Sequence, residues 1–208
     1  MVRKNNVLRS GQDSQPDIPV VFDKASMRVD IFCRISPKTT LDVHSILKEL
    51  GSLKGNGSGV SRKKITVVVN TCGGEALQGL AIYDLLRSCG LDVTTVVLGE
   101  AASSGLAVVL AGRERLMYPN AILHFHQTAM EFEKGKSIKV LRQEEVDRER
   151  AQTRTVDALY AKITLENSRI SLRQLKALEQ REAHVTAEQA LKMGLVHKLI
   201  EHFELQTP

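Results

Sequence analysis

Three short clusters in this chain set reactive side chains beside glycines that turn the backbone. Asn70-Thr71-Cys72-Gly73-Gly74 follows an apolar run, and its two glycines permit a sharp turn that leaves N–H groups aimed at open space. Fixed N–H groups of that kind stabilise an oxyanion, because they are in place before the charge develops. A plain strand-to-helix turn would use the same residues. Gly99-Glu100-Ala101-Ala102-Ser103-Ser104-Gly105 surrounds two serines with small residues. Such a junction approximates a nucleophile elbow, with Ala101 where the first glycine would stand. The positive end of a following helix would favour the developing alkoxide. Ser103 is equally well placed as an N-cap. His124-Phe125-His126-Gln127 supplies imidazoles, the usual bases for a serine nucleophile. On a strand, positions 124 and 126 face the same way, so geometry alone does not choose between them. No third ligand stands at a recognisable spacing from this pair, so no metal site is expected.

These clusters need elements to position them. Residues 1–26 mix polar side chains with Pro16 and Pro19 and read as an irregular segment, leaving 27–208 as one domain. Alternation of Val29, Ile31 and Cys33 predicts a strand over 27–35. Leu41, His44, Leu47 and Leu50 predict a helix over 41–53, capped by Thr39 or Thr40. The Gly/Ser-rich, basic stretch 51–64 reads as a surface loop. The β-branched runs ITVVV (65–69) and VTTVVL (93–98) read as strands covered on both faces. Each leads through glycine to a helix, the first through Ala81 to Leu86, the second over 103–110. Short strands are expected at 115–118 and 122–126, then a long helix over 137–163 and a shorter one from Ser171. Ser171–Gln174 and Thr186–Gln189 both fit a capping box, and Gly194 stops the last helix. Strand and helix alternate, which indicates an α/β domain.

Composition narrows the classes. The 208 residues carry a net charge of +5 and no Trp, a poor basis for stacking nucleobases, so no nucleic-acid partner is expected. No apolar run approaches the ~20 residues of a membrane span. Cys33, Cys72 and Cys89 include no CxxC pair, and no apolar leader opens the chain. Both point to a reducing, cytoplasmic setting. No GxxxxGK[ST] phosphate loop is present, so no ATP chemistry of its own is expected.

In order and spacing, NTCGG, AIYDLL, GEAASSG, YPNA and HQ resemble the ClpP family, the proteolytic subunits of caseinolytic (Clp) proteases. REAHVTAEQALKMGLV near the C-terminus resembles that family's acid-bearing segment and final helix. The resemblance implies an α/β, crotonase-like ββα spiral with a protruding handle helix. It also implies a serine endopeptidase that cuts unfolded polypeptide inside heptameric rings stacked as a tetradecamer, a homo-oligomer fed by a separate AAA+ unfoldase. On the matching positions, Ser103 would be the nucleophile, His126 the base and Glu182 the orienting acid. The backbone N–H groups of Gly74 and Ser104 would form the oxyanion hole. No cofactor and no metal are implied; ATP would enter only through the unfoldase.

The departures are specific. Cys72 stands where the family has Pro, and no base is aligned to serve it as a nucleophile. Glu100 replaces a Gln, and a negative charge within ~4–6 Å of His126 would favour the imidazolium and weaken the base. Glu182 is one methylene longer than the family's Asp. Residues 1–26 do not resemble the family's axial loops, so unconventional unfoldase docking is expected. Two other functions compete: a catalytically weak or non-catalytic ring subunit, and an acyl-CoA enzyme on the same spiral.

Overall fold

The computed structural model describes residues 19–52, 63–127 and 143–201. Among them run β1 (Val21–Asp23), β2 (Arg28–Ile31), α1 (Pro37–Ser52), β3 (Lys64–Thr71), α2 (Ala76–Ser88), β4 (Asp92–Ala102) and α3 (Ser104–Leu110). These are followed by β5 (Glu114–Met117), β6 (Ile122–His124), α4 (Gln143–Glu166), α5 (Leu172–Gln180), β7 (His184–Thr186), α6 (Ala187–Lys192) and β8 (Lys198–Leu199). The strands form one sheet in the order β1-β2-β3-β4-β5-β8, with β6 pairing β4 and β7. Only β1–β2 and β6–β7 are antiparallel.

The β-branched runs explain the centre of the sheet. Val67 and Val69 on β3 and Val97 on β4 are fully buried in the main core, beneath α2 and α3. Val68 and Val96 point the other way and close a smaller cluster with Ile200. Both faces of β3 and β4 are therefore covered, as expected of parallel strands. Strand β4 has 11 residues and does not stop at Gly99. A bulge on β4 lets it continue: Val69 pairs with Val97 but Thr71 pairs with Ala101, and Asn70 Oδ1 accepts a hydrogen bond from the Glu100 N–H (3.1 Å). The first half of β4 pairs β5, and its last three residues pair β6. Glu100 consequently lies on a strand, where a turn was expected.

Other differences have local causes. Residues 21–23, expected to be irregular, pair with β2 as β1. Helix α1 starts four residues early. Pro37 opens it, and the Ser36 hydroxyl accepts from the Thr39 N–H (3.3 Å) while the Thr39 hydroxyl accepts from the Ser36 N–H (3.2 Å). Strand β6 ends at His124, two residues short of expectation. Both capping boxes, at Ser171 and Thr186, are present. The surface loop falls mainly on 53–62, outside the described residues, as do 137–142 of the long helix. Its described part, α4, runs to Glu166 and is held to the body by buried Val156 and by Tyr160, whose hydroxyl donates to the Ala76 carbonyl (2.8 Å). Close approach is built into this contact: a Cβ on Gly79 would lie 2.5 Å from the Tyr160 hydroxyl and 2.7 Å from Ser104 Cβ. At the far edge the buried Arg115 guanidinium donates to the carbonyls of Leu195, Gly112, Asn167 and Gly194 (2.8–3.3 Å), tying β5 to the C-terminal elements. No helix among the described residues is long and apolar enough to cross a membrane.

Candidate active site

Adjacent parallel strands bring the first two clusters together. Strands β3 and β4 both end in strand-to-helix turns, and a Cβ on Gly73 (φ +88°) would lie 2.8 Å from Ser103 Cβ. Only a residue without a side chain fits between the two turns. Gly74 (φ +154°) is pressed as closely against the backbone of Ile35, whose carbonyl accepts from the Glu75 N–H (2.9 Å). Thr71 stiffens the turn: its hydroxyl donates to the Cys33 carbonyl (2.6 Å) and accepts from the Gly73 N–H (3.1 Å).

Ser103 precedes α3 in a left-handed conformation, φ 51° and ψ −121°, that a side-chain-bearing residue rarely adopts. Its hydroxyl makes no capping bond. The N-cap function open to it from the sequence is therefore not the one it performs. Strain of this kind persists only where surrounding structure enforces it, and it concentrates at functional sites. Here the enforcement includes the Ser103 N–H, which donates to the His124 carbonyl (3.1 Å). Ser104 points inward, 1% exposed, and its Oγ has no partner.

Ser103, Ser104, Gly74 and His126 line one cleft of about 460 Å³, walled by Leu77, Phe125, Val156 and Leu175. His126 Nδ1 lies 2.7 Å from the Gln127 carbonyl oxygen. A carbonyl only accepts, so Nδ1 carries the proton and Nε2 is the bare, basic nitrogen. Nε2 is buried and has no hydrogen-bond partner. Cys72 also lines the cleft, but burial, outweighing Arg34, pushes its thiol above the ordinary value. It is kept as the thiol, a poor nucleophile.

Four of the five site residues expected from sequence are thus in one cleft; Glu182 is placed differently. Continuing the β6–β7 register, in which His124 opposes His184 and the Phe125 N–H donates to the Ala183 carbonyl (2.9 Å), sets residue 182 opposite residue 126. Glu182, however, has φ 47° and makes no hydrogen bond to His126. The Gln127 carbonyl holds the ring instead, a contact with no side-chain signature in the sequence. The Glu182 charge is felt at His124, where it opposes a larger downward shift from burial, His184 and His126. Glu100 also turns to His124, its Oε1 3.9 Å from Nδ1. The Glu100 charge therefore lies against the neighbour of the expected base.

Similarity to known proteins agrees with this geometry. The profile of the Clp protease family matches residues 27–203. The ATP-dependent Clp protease proteolytic subunit 1 of Corynebacterium glutamicum is 31% identical over 147 residues, spanning 69% of this chain and 67% of that protein. Its counterpart in Corynebacterium efficiens is 31% identical over 148 residues, 70% of this chain and 68% of that one. Among solved structures, ClpP1 from Listeria monocytogenes superposes with a TM-score of 0.63 at 25% identity, covering 86% of this chain and 94% of that one. A point mutant of ClpP1 from that organism superposes at 0.72 and 23% identity, with the same coverage, a likeness of fold. A strained serine, a bare imidazole nitrogen and two glycine-bounded turns thus sit on a fold and a sequence that lead to one conclusion: the chain belongs to the Clp protease family, as a proteolytic subunit of serine-peptidase type.

Proposed function

We propose that Ser103, His126 and the amides of Gly74 and Ser104 cut peptide bonds in unfolded polypeptide. The observation that carries this is Ser103 itself, held in a left-handed conformation with its hydroxyl unspent on capping. In the reaction, Ser103 Oγ attacks the scissile carbonyl carbon and passes its proton to His126 Nε2. The carbonyl oxygen, now negative, is held by the two amides. Collapse breaks the C–N bond as His126 returns the proton to the leaving amine, leaving an acyl-Ser103 ester. Water, deprotonated by the same nitrogen, hydrolyses the ester and restores the serine. The Gln127 carbonyl fixes the tautomer, and Glu182 stabilises the imidazolium from a distance.

The working particle in this proposal is a pair of stacked heptameric rings in the cytoplasm, with ATP used only by a separate unfoldase and no cofactor bound by this chain. Family membership supports it, as does the chain's match to proteins named as subunits of an ATP-dependent protease. Labelling the full chain with a fluorophosphonate, followed by peptide mapping, tests the chemistry. Label on Ser103 is expected; label elsewhere, or none, overturns it. A second reading, a ring subunit that does not cut, draws on the missing Glu182–His126 hydrogen bond and predicts no label with or without an added unfoldase.

A further inference from the structure

We propose that Glu100, His124 and His184 form a binding site for a zinc-type divalent cation on the sheet face turned away from the main core. Three neighbouring strands build it. Glu100 pairs with Ile122 and Ala102 with His124, so Glu100 and His124 are diagonal neighbours on one face of β4–β6. His124 and His184 are directly opposed in the antiparallel β6–β7 pair. Alternation confirms the facing: Ala101, Leu123 and Val185 are buried in the core, and the three candidate ligands sit on the other side.

One ligand atom from each residue can be chosen so that all lie within 4.8 Å of one another. A tetrahedral zinc ion at 2.0–2.1 Å from each ligand spaces them about 3.4 Å apart. Closing that difference takes side-chain rotation and leaves the ladder intact. The two imidazoles are stacked, centroids 4.1 Å apart and planes within 11°, so His184 swings most on binding. It is exposed and free to do so. His124 has spent neither ring nitrogen: Nε2 is buried without a partner, and Nδ1 faces Glu100 at 3.9 Å, too far for a hydrogen bond. Two imidazoles and one carboxylate suit zinc over soft ions, which seek thiolate, and over magnesium and calcium, which seek oxygen alone. Water completes the coordination through the open side at His184. The spacing of His124 and His126 hid this set, because its second histidine is His184, 60 residues away on another strand, and its acid precedes the serine.

The test uses the full chain after chelator treatment, with cobalt(II) as the spectroscopic probe and zinc(II) in competition with a chromophoric chelator. One equivalent of cobalt should give visible d–d absorption of a nitrogen–oxygen site, erased by one equivalent of zinc. Glu100→Gln and His184→Asn should each weaken zinc binding by about tenfold or more, and His44→Asn, at an exposed position of α1, should leave it unchanged. Zinc should raise the melting temperature of the wild-type chain but not of Glu100→Gln, which decides the matter if His184→Asn fails to fold. No stoichiometric binding, equal binding by both ligand variants, or a thiolate-to-cobalt charge-transfer band would overturn the proposal. Peptidase activity enters none of these readouts, so the result stands whether or not Ser103 is the nucleophile.

Discussion

Ser103 and Ser104 are adjacent and both line the cleft, yet they differ in exposure: Ser103 is half-buried with its hydroxyl unspent on capping, whereas the Ser104 hydroxyl is buried without a partner. Ser103→Ala should therefore abolish peptide hydrolysis, a loss on the order of 10³-fold or more in kcat. Ser104→Ala keeps the amide asked of it and sheds an unpaired buried hydroxyl, so it should retain most activity and melt no lower than wild type. Equal loss in both variants, measured on a short fluorogenic peptide, would contradict the assignment. Glu182→Gln is expected to lower kcat by about tenfold or less, because the Gln127 carbonyl already fixes the imidazole tautomer. A collapse as deep as that of His126→Ala would show that acid and base meet during turnover. At this scale the sequence was legible in that the two side chains it singled out, Ser103 and His126, come to line one cleft. It was silent where the partner is a backbone carbonyl, since any residue at 127 supplies one.

Helix caps were readable because Ser171 with Gln174, and Thr186 with Gln189, satisfy end amides through side chains at fixed spacing. Strand β4 was not. Gly99 signals a turn locally, but here its positive φ (80°) serves a bulge beside Asn70, and tertiary pairing with β6 carries the strand on to Ala102. Strand β8 is two residues long and owes its place to β5 and to His197 beside it. His197 Nδ1 accepts from the Arg115 N–H (3.1 Å), and the His197 N–H donates to the Arg115 carbonyl (2.8 Å). Burial, then the Arg115 charge, with Arg169 adding and Glu114 opposing, holds this imidazole below its ordinary value. The unfolded chain thus binds more protons as pH falls below about 6.5, the usual histidine value. Folding stability attributable to His197 is full above that pH and is lost as pH drops toward the folded-state value. Denaturant melts from pH 7.5 to 5 should show a steeper fall in wild type than in His197→Asn. Identical slopes would remove His197 from the account.

Ring assembly tests the molecule as a whole. The described start of α4 exposes Asp147, Arg148 and Arg150, and the sequence over 143–150 offers Val146 as its single large apolar side chain. A seam between rings built on such a helix relies on charge, which is screened beyond about 8 Å at physiological salt and ~3 Å at 1 M. If the proposed stacked rings meet through this helix, they should therefore separate into single rings as salt approaches 1 M, seen as a halving of mass by light scattering after size exclusion. Constant mass would place the seam's stability in apolar burial elsewhere. The pairing of β6 has a further consequence, one of timing. Ser103 and Gly74 adjoin the ends of β4 and β3, the most extensively paired strands, whereas His126 lies two residues beyond a three-residue strand that, among the described residues, pairs with the end of β4 and with β7. Segments with so few bonds open at lower free energy than the core they border. On gentle heating the amide protons of 123–125 should exchange well before those of Val67, Val69 and Val97. Peptidase activity should fade with the first group and return on cooling, because opening this segment frees His126 and releases the Ser103 N–H from the His124 carbonyl while the paired centre of the sheet stays closed.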